Sequence, residues 1–206
     1  MKDMEAITKT AEKIQSYVDN LTGGNGLDWM NKYLGGTNIV HSSNAPSGAS
    51  WVPNNRDMTN PALITGTGAN TVYLMDGWLN QDGGSRWLAH EMGHIWDINT
   101  SPLIPFYGGT GDQLNSAMGG NISNNPLACR FCNDSGSQNK NPFPGGRNNY
   151  GNNSFADYLA ESFALSVYHD SLNLVPGSAQ FWVGQKIWGE TIELYLPSSY
   201  KYEVGN

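Results

Sequence analysis

The spacing of apolar positions along the chain predicts four helices. Isoleucine, alanine, valine and leucine recur every three or four residues near the N-terminus, which is the period of a helix with one buried face, and Gly23-Gly24 ends that pattern. Pro102 ends the second helix, and Val175-Pro176-Gly177 separates the third from the fourth. The predicted helices cover about residues 3–21, 85–99, 155–169 and 178–196.

Three short segments, 38–41, 62–65 and 71–75, predict strands. Residues 71–75 give the clearest pattern because they are β-branched and aromatic and lie between glycines. The stretch 22–60 is otherwise rich in Gly, Asn, Ser and Pro, and the stretch 100–153 has scarcely any periodicity, so both are predicted as loops with short extended pieces. A loop as long as the second can form the wall or lid of a cleft.

The composition indicates one globular domain of 206 residues. We expect a sheet-containing lobe over about residues 1–99 and a loop-rich, helical lobe over about 100–206. A net charge of −7 argues against nucleic acid or an anionic membrane as the partner, since both bind basic surfaces. The sequence has no apolar run long enough to span a bilayer.

The segment His90-Glu91-Met92-Gly93-His94 is an H-E-x-x-H motif within the second predicted helix. Residues four apart lie on one face of a helix, so the two imidazoles can bind one Zn²⁺. Glu91 can reach an activated water without binding the metal, which is the position of a general base in a metallohydrolase. The alternative is two histidines that happen to stand one turn apart.

A catalytic zinc needs a third protein ligand. The metzincin continuation is excluded, because Asp97 and Thr100 stand where that class has Gly and then His or Asp. Asp157 and Glu161 lie one turn apart on the third predicted helix, among apolar residues. One of them can bind metal, and the other can accept the N–H of a ligand imidazole. Two acids on a solvated helix face are the alternative. We expect Asp97 to stabilise structure near its helix end.

Cys129 and Cys132 form a C-x-x-C pair in a Gly- and Asn-rich segment. A disulfide in an oxidising compartment is the favoured interpretation. A structural zinc knuckle needs two further ligands, and the chain has no second cysteine pair. A thioredoxin-like redox pair needs a strand before it and a helix after it, whereas the flanking residues are typical of loops.

Two segments together resemble the catalytic domain of anthrax lethal factor and the clostridial Pro-Pro endopeptidases, which are gluzincin-type zinc peptidases. His90 to His94 followed by Asp97 is similar to their H-E-x-G-H-x-x-D pattern. Tyr150-Gly151, followed by Asp157-Tyr158-Leu159-Ala160-Glu161-Ser162-Phe163, resembles their second metal-site segment. The resemblance covers roughly residues 85–98 and 150–168.

Carried over by position, the resemblance implies one catalytic zinc ion and a role for six residues. The zinc ligands would be His90, His94 and Asp157. Glu91 would be the general base, and Tyr150 would donate a hydrogen bond to the oxyanion. Glu161 would be the hydrogen-bond partner of a ligand histidine. The chain departs from the family at Asp157, where the family has Glu. Because Asp is one methylene shorter, Glu161 remains an alternative ligand.

We therefore expect an α+β, zincin-like fold in which a small twisted mixed sheet packs on the H-E-x-x-H helix, with a C-terminal helical lobe. The expected function is that of a zinc endopeptidase acting on a protein or peptide, and the strand at Val72–Met75 is expected to bind substrate as an added strand. The alternatives are a non-peptidase zinc amidohydrolase and a catalytically silent binding or adhesion module. No signal peptide is recognisable at Met1, yet we expect a secreted or extracellular protein whose targeting segment has been removed.

Overall fold

The computed structural model describes residues 2–42, 62–64, 70–75, 84–100, 109–119, 155–168 and 176–195. Within these residues the helices are α1 (Lys2–Thr22), α2 (Gly26–Tyr33), α3 (Gly84–Thr100), α4 (Thr110–Ala117), α5 (Phe155–Tyr168) and α6 (Ala179–Tyr195). The strands are β1 (Asn38–Ser42), β2 (Ala62–Ile64) and β3 (Thr71–Met75). The four predicted helices and three predicted strands are confirmed, with ends shifted by a residue or so.

The sequence pattern missed the two short helices, α2 and α4. Both fall in stretches predicted as loops, and that prediction is wrong at residues 26–33 and 110–117. Each helix begins on a backbone N–H that is bound by a carboxylate from elsewhere: Gly26 donates to Asp19 and Gly111 donates to Asp97, both at 2.7 Å. A helix of eight residues is marginal by itself, so these tertiary contacts decide that it forms.

The sheet has the strand order β1-β3-β2, with β1 parallel and β2 antiparallel to β3. Tyr73 at the centre of β3 pairs with Val40 on one side and Leu63 on the other. The predicted role of β3 as a substrate-binding strand is therefore wrong, since both of its edges are already paired. Strand β2 also contacts α3, so the mixed sheet lies against the motif helix. Assignment of the whole to the zincin class stays a prediction.

Helix α5 is the centre of the core. Every described side chain from Tyr158 to Val167 is buried, and the core cluster draws on helices from both halves of the chain. Trp29, Trp96 and Phe163 meet with ring centroids 5.5–6.1 Å apart. Trp87 and Trp96 are buried as expected from their place beside the motif.

Helices α3 and α5 pack most closely at Gly93. A Cβ atom on Gly93 would lie 2.6 Å from the Cα of Ala160, a separation that real Cβ atoms essentially never show. Only glycine therefore permits this approach, which brings the residue after Ala160, Glu161, to the histidine face of α3. In the described part of the chain, no helix combines the length and apolarity needed to cross a membrane.

Candidate metal centre

Arg86, His90 and His94 stand at four-residue intervals and form one stripe along α3. The His90 side chain is almost completely buried, Arg86 is buried, and His94 is partly buried. The ring of Trp87 packs edge-on to His90, with a centroid distance of 6.2 Å. The stripe faces α5, so the imidazoles lie at a boundary between two helices.

The Nε2 atoms of His90 and His94 face each other at 3.2 Å, and the ring planes are 81° apart. Two nitrogens that each bind a tetrahedral zinc at about 2.05 Å are about 3.3 Å apart. The separation of the two Nε2 atoms is therefore close to that of two ligands of one zinc ion. In the metal-free protein the same distance suits a hydrogen bond in which one ring donates and the other accepts.

Glu161 lies on the other side of His90. Its Oε2 is 3.4 Å from His90 Nδ1, at the long end of hydrogen bonding. Since a carboxylate can only accept, this bond requires the proton on Nδ1 and leaves the Nε2 lone pair for a metal. The other oxygen, Oε1, accepts from Arg86 Nη2 at 2.7 Å. Arg86, Glu161 and His90 thus form one buried chain of contacts across the α3–α5 interface.

Glu91 follows His90 directly in α3, and its side chain is 6% exposed. Its role as general base stays a prediction from the H-E-x-x-H motif.

Asp97 stabilises the start of α4. Its Oδ1 accepts the N–H of Gly111 in the first turn of α4, and this helix begins after Gly109, which has no side chain to cap it. A Cβ on Gly109 would come within 2.6 Å of that same oxygen. The predicted structural role of Asp97 is confirmed. Burial raises the pKa of Asp97, opposed by the bond from Gly111 and by the charge of His94.

Asp157 and Glu161 both lie in α5, one turn apart, as predicted. The side chain of Asp157 is outside the described residues, and so are Tyr150, Cys129 and Cys132. Their assigned roles stay predictions. Among the side chains that are described, no group of three His, Cys, Asp or Glu is arranged to hold a metal ion.

Arg86 was not among the site residues predicted from the sequence. The available signal was its spacing, four residues before His90, which places a cation on the ligand face of the helix. A basic residue near the start of a helix is ordinarily solvated, so this spacing gains meaning only when a buried acid from α5 lies opposite.

Comparison of the chain with protein-family models, with curated proteins and with solved structures finds no match.

Proposed function

We propose that this protein is a zinc-dependent endopeptidase. The observation that carries the proposal is the imidazole pair, whose Nε2 atoms are 3.2 Å apart on one face of α3 with a carboxylate behind one ring. The gluzincin resemblance supports it further, because residues 85–98 and 155–168, which carry most of the resemblance, belong to helices in close contact.

His90 and His94 would hold the ion through Nε2, and we assign the third ligand to Asp157. Glu161 is the less suitable ligand, because both of its oxygens already have partners, the His90 ring and Arg86. Asp157 lies one turn before it on α5. Bound zinc would polarise the scissile carbonyl and lower the pKa of water.

The protein's own groups then perform the proton transfers. Glu91 takes a proton from the attacking water and later delivers it to the leaving amine. Tyr150 donates its hydroxyl hydrogen to the oxyanion that develops on the former carbonyl. Glu161 keeps His90 oriented and its Nε2 unprotonated throughout.

The substrate is proposed to be a protein or peptide met outside the cytosol. An added substrate strand needs a sheet edge. With β3 excluded, β2 lies at an edge of the sheet formed by the described strands, and it contacts α3. Extended peptides can pair there with their scissile bond near the motif helix.

Cleavage of a diverse peptide library by the zinc-loaded protein tests this function. The matched control is Glu91→Gln, which removes the base and leaves both imidazoles in place. We expect the native protein to cut some library members and the variant to cut none while retaining zinc. Zinc binding without cleavage of any peptide would instead favour the amidohydrolase, if small amides are hydrolysed, or the silent binding module, if they are not.

A further inference from the structure

The contacts that run from His90 through Glu161 end at Arg86, a cation that zinc-dependent hydrolysis does not require. Arg86 Nη2 lies 2.7 Å from Glu161 Oε1, and the two side chains are 9% and 3% exposed. Removing both charges from water is costly, and a buried ion pair is often no more stabilising than apolar residues of similar size. Stability alone therefore gives a weak account of this pair.

The position of the Arg86–Glu161 pair beside His90 gives a better explanation of why the pair is buried. Glu161 divides its two oxygens between Arg86 and the Nδ1 of His90. The bond from Arg86 Nη2 to Oε1 limits how the Glu161 carboxylate can turn. A carboxylate held against Nδ1 favours the His90 tautomer that carries its proton there. Arg86 lies one turn before His90 in the same helix, so α3 and α5 together contain all three residues of the relay Arg86–Glu161–His90.

We propose that Arg86 is a positioning residue of the metal centre. Its guanidinium fixes the Glu161 carboxylate, which holds the Nδ1–H tautomer of His90 and directs the Nε2 lone pair toward His94. This inference rests on the proposed zinc site for its effect on metal affinity, but its effect on the His90 tautomer does not depend on zinc. Partners of ligand histidines typically contribute about 10–100-fold to metal affinity.

The test compares the full chain carrying Arg86→Met with one carrying Lys186→Met. Lys186 is a matched control because its Nζ also contacts a buried carboxylate, that of Glu190, at 3.4 Å. The other oxygen of Glu190, Oε2, accepts from two indole N–H groups rather than from an imidazole. Zinc dissociation constants come from competition with a chromophoric chelator. Long-range ¹H–¹⁵N correlation of the metal-free proteins reports the His90 tautomer.

We expect Arg86→Met to weaken zinc binding about 10-fold or more and to lose the Nδ1–H tautomer as the dominant form. Lys186→Met should leave both quantities unchanged. Arg86→Lys, which keeps the positive charge on a differently shaped side chain, should retain part of the affinity. An Arg86→Met protein with native zinc affinity and an unchanged tautomer would overturn the proposal, whatever its stability.

Two further outcomes are distinguishable. If the native protein binds no zinc, the proposed function fails, and the tautomer measurement alone decides the role of Arg86. If Arg86→Met does not fold, Glu161→Gln takes its place in both measurements. Native affinity and an unchanged tautomer in that variant would overturn the relay.

Discussion

Replacing Gly93 by alanine is expected to damage both the fold and the metal centre. The new Cβ would lie 2.6 Å from Ala160 Cα and 3.2 Å from the Ala160 Cβ and carbonyl oxygen. Carbon atoms pack best at about 3.5–4.0 Å, so α5 must move away by about 1 Å. Backbone is the main obstacle, and no side-chain rotation relieves it.

Two free energies compete in this variant. Alanine is favoured over glycine in a helix interior by about 1 kcal/mol. Overpacking a tight core costs about 1–3 kcal/mol, and we take the upper end because the close contact is with backbone. The expected result is a protein about 2 kcal/mol less stable to urea. A shift of about 1 Å also breaks the His90–Glu161 contact, already 3.4 Å long, so zinc affinity should fall about 10-fold.

Gly189→Ala is the matched control. Gly189 lies within α6, and a Cβ added there would meet no described atom within 4 Å. This variant should gain about 0.5–1 kcal/mol from helix propensity and keep native zinc affinity. Equilibrium urea unfolding of the metal-free proteins measures the stabilities, and chelator competition measures the affinities. A Gly93→Ala protein as stable as Gly189→Ala would refute the close approach of α3 and α5.

Two further predictions concern buried carboxylates. Asp97→Ala should cost about 1–3 kcal/mol in urea unfolding, since a backbone N–H at the start of α4 loses its acceptor; Asp97→Asn keeps an acceptor oxygen and should lose less, and equal losses would contradict the capping role. Burial raises the pKa of Glu190 above its usual 4.5, although Lys186 and two indole N–H groups oppose the shift. As pH rises above about 4.5, the Glu190 carboxyl loses its proton in the unfolded chain before it does so in the folded protein. The free energy of unfolding therefore decreases with pH until the pKa of Glu190 in the folded protein is passed. The decrease is at most about 1.4 kcal/mol per pH unit. The native unfolding free energy minus that of Glu190→Gln should therefore fall with rising pH in this window, and a difference that rises would contradict the reasoning.

The sequence predicted the elements whose signal is local. Helices α1, α3, α5 and α6 are long and have clear apolar patterns, and β3 is β-branched between turn residues. Helices α2 and α4 were not predicted because the carboxylates that accept from N–H groups in their first turns, those of Asp19 and Asp97, lie outside the two helices, in α1 and α3. The central position of β3 depends on which strands pair with it, and the sequence of one segment does not determine the order of strands in a sheet.

The candidate site divides in the same way. The H-E-x-x-H spacing is a property of one helix, so the facing imidazoles follow from it directly. The position of Glu161 depends on how closely α5 approaches α3, which Gly93 determines through the absence of a Cβ. Arg86 contacts Glu161 only because α5 lies this close to α3. From the pattern of its own helix alone, Arg86 would be predicted to face solvent.

Zinc titration of the metal-free protein tests the central claim most directly, with His94→Ala and Glu91→Gln beside the native chain. The account predicts one zinc ion bound per native chain at neutral pH, retention of that ion in Glu91→Gln, and its loss in His94→Ala. Native protein that takes up no zinc, or a His94→Ala variant that binds it as tightly as the native chain, would contradict the account.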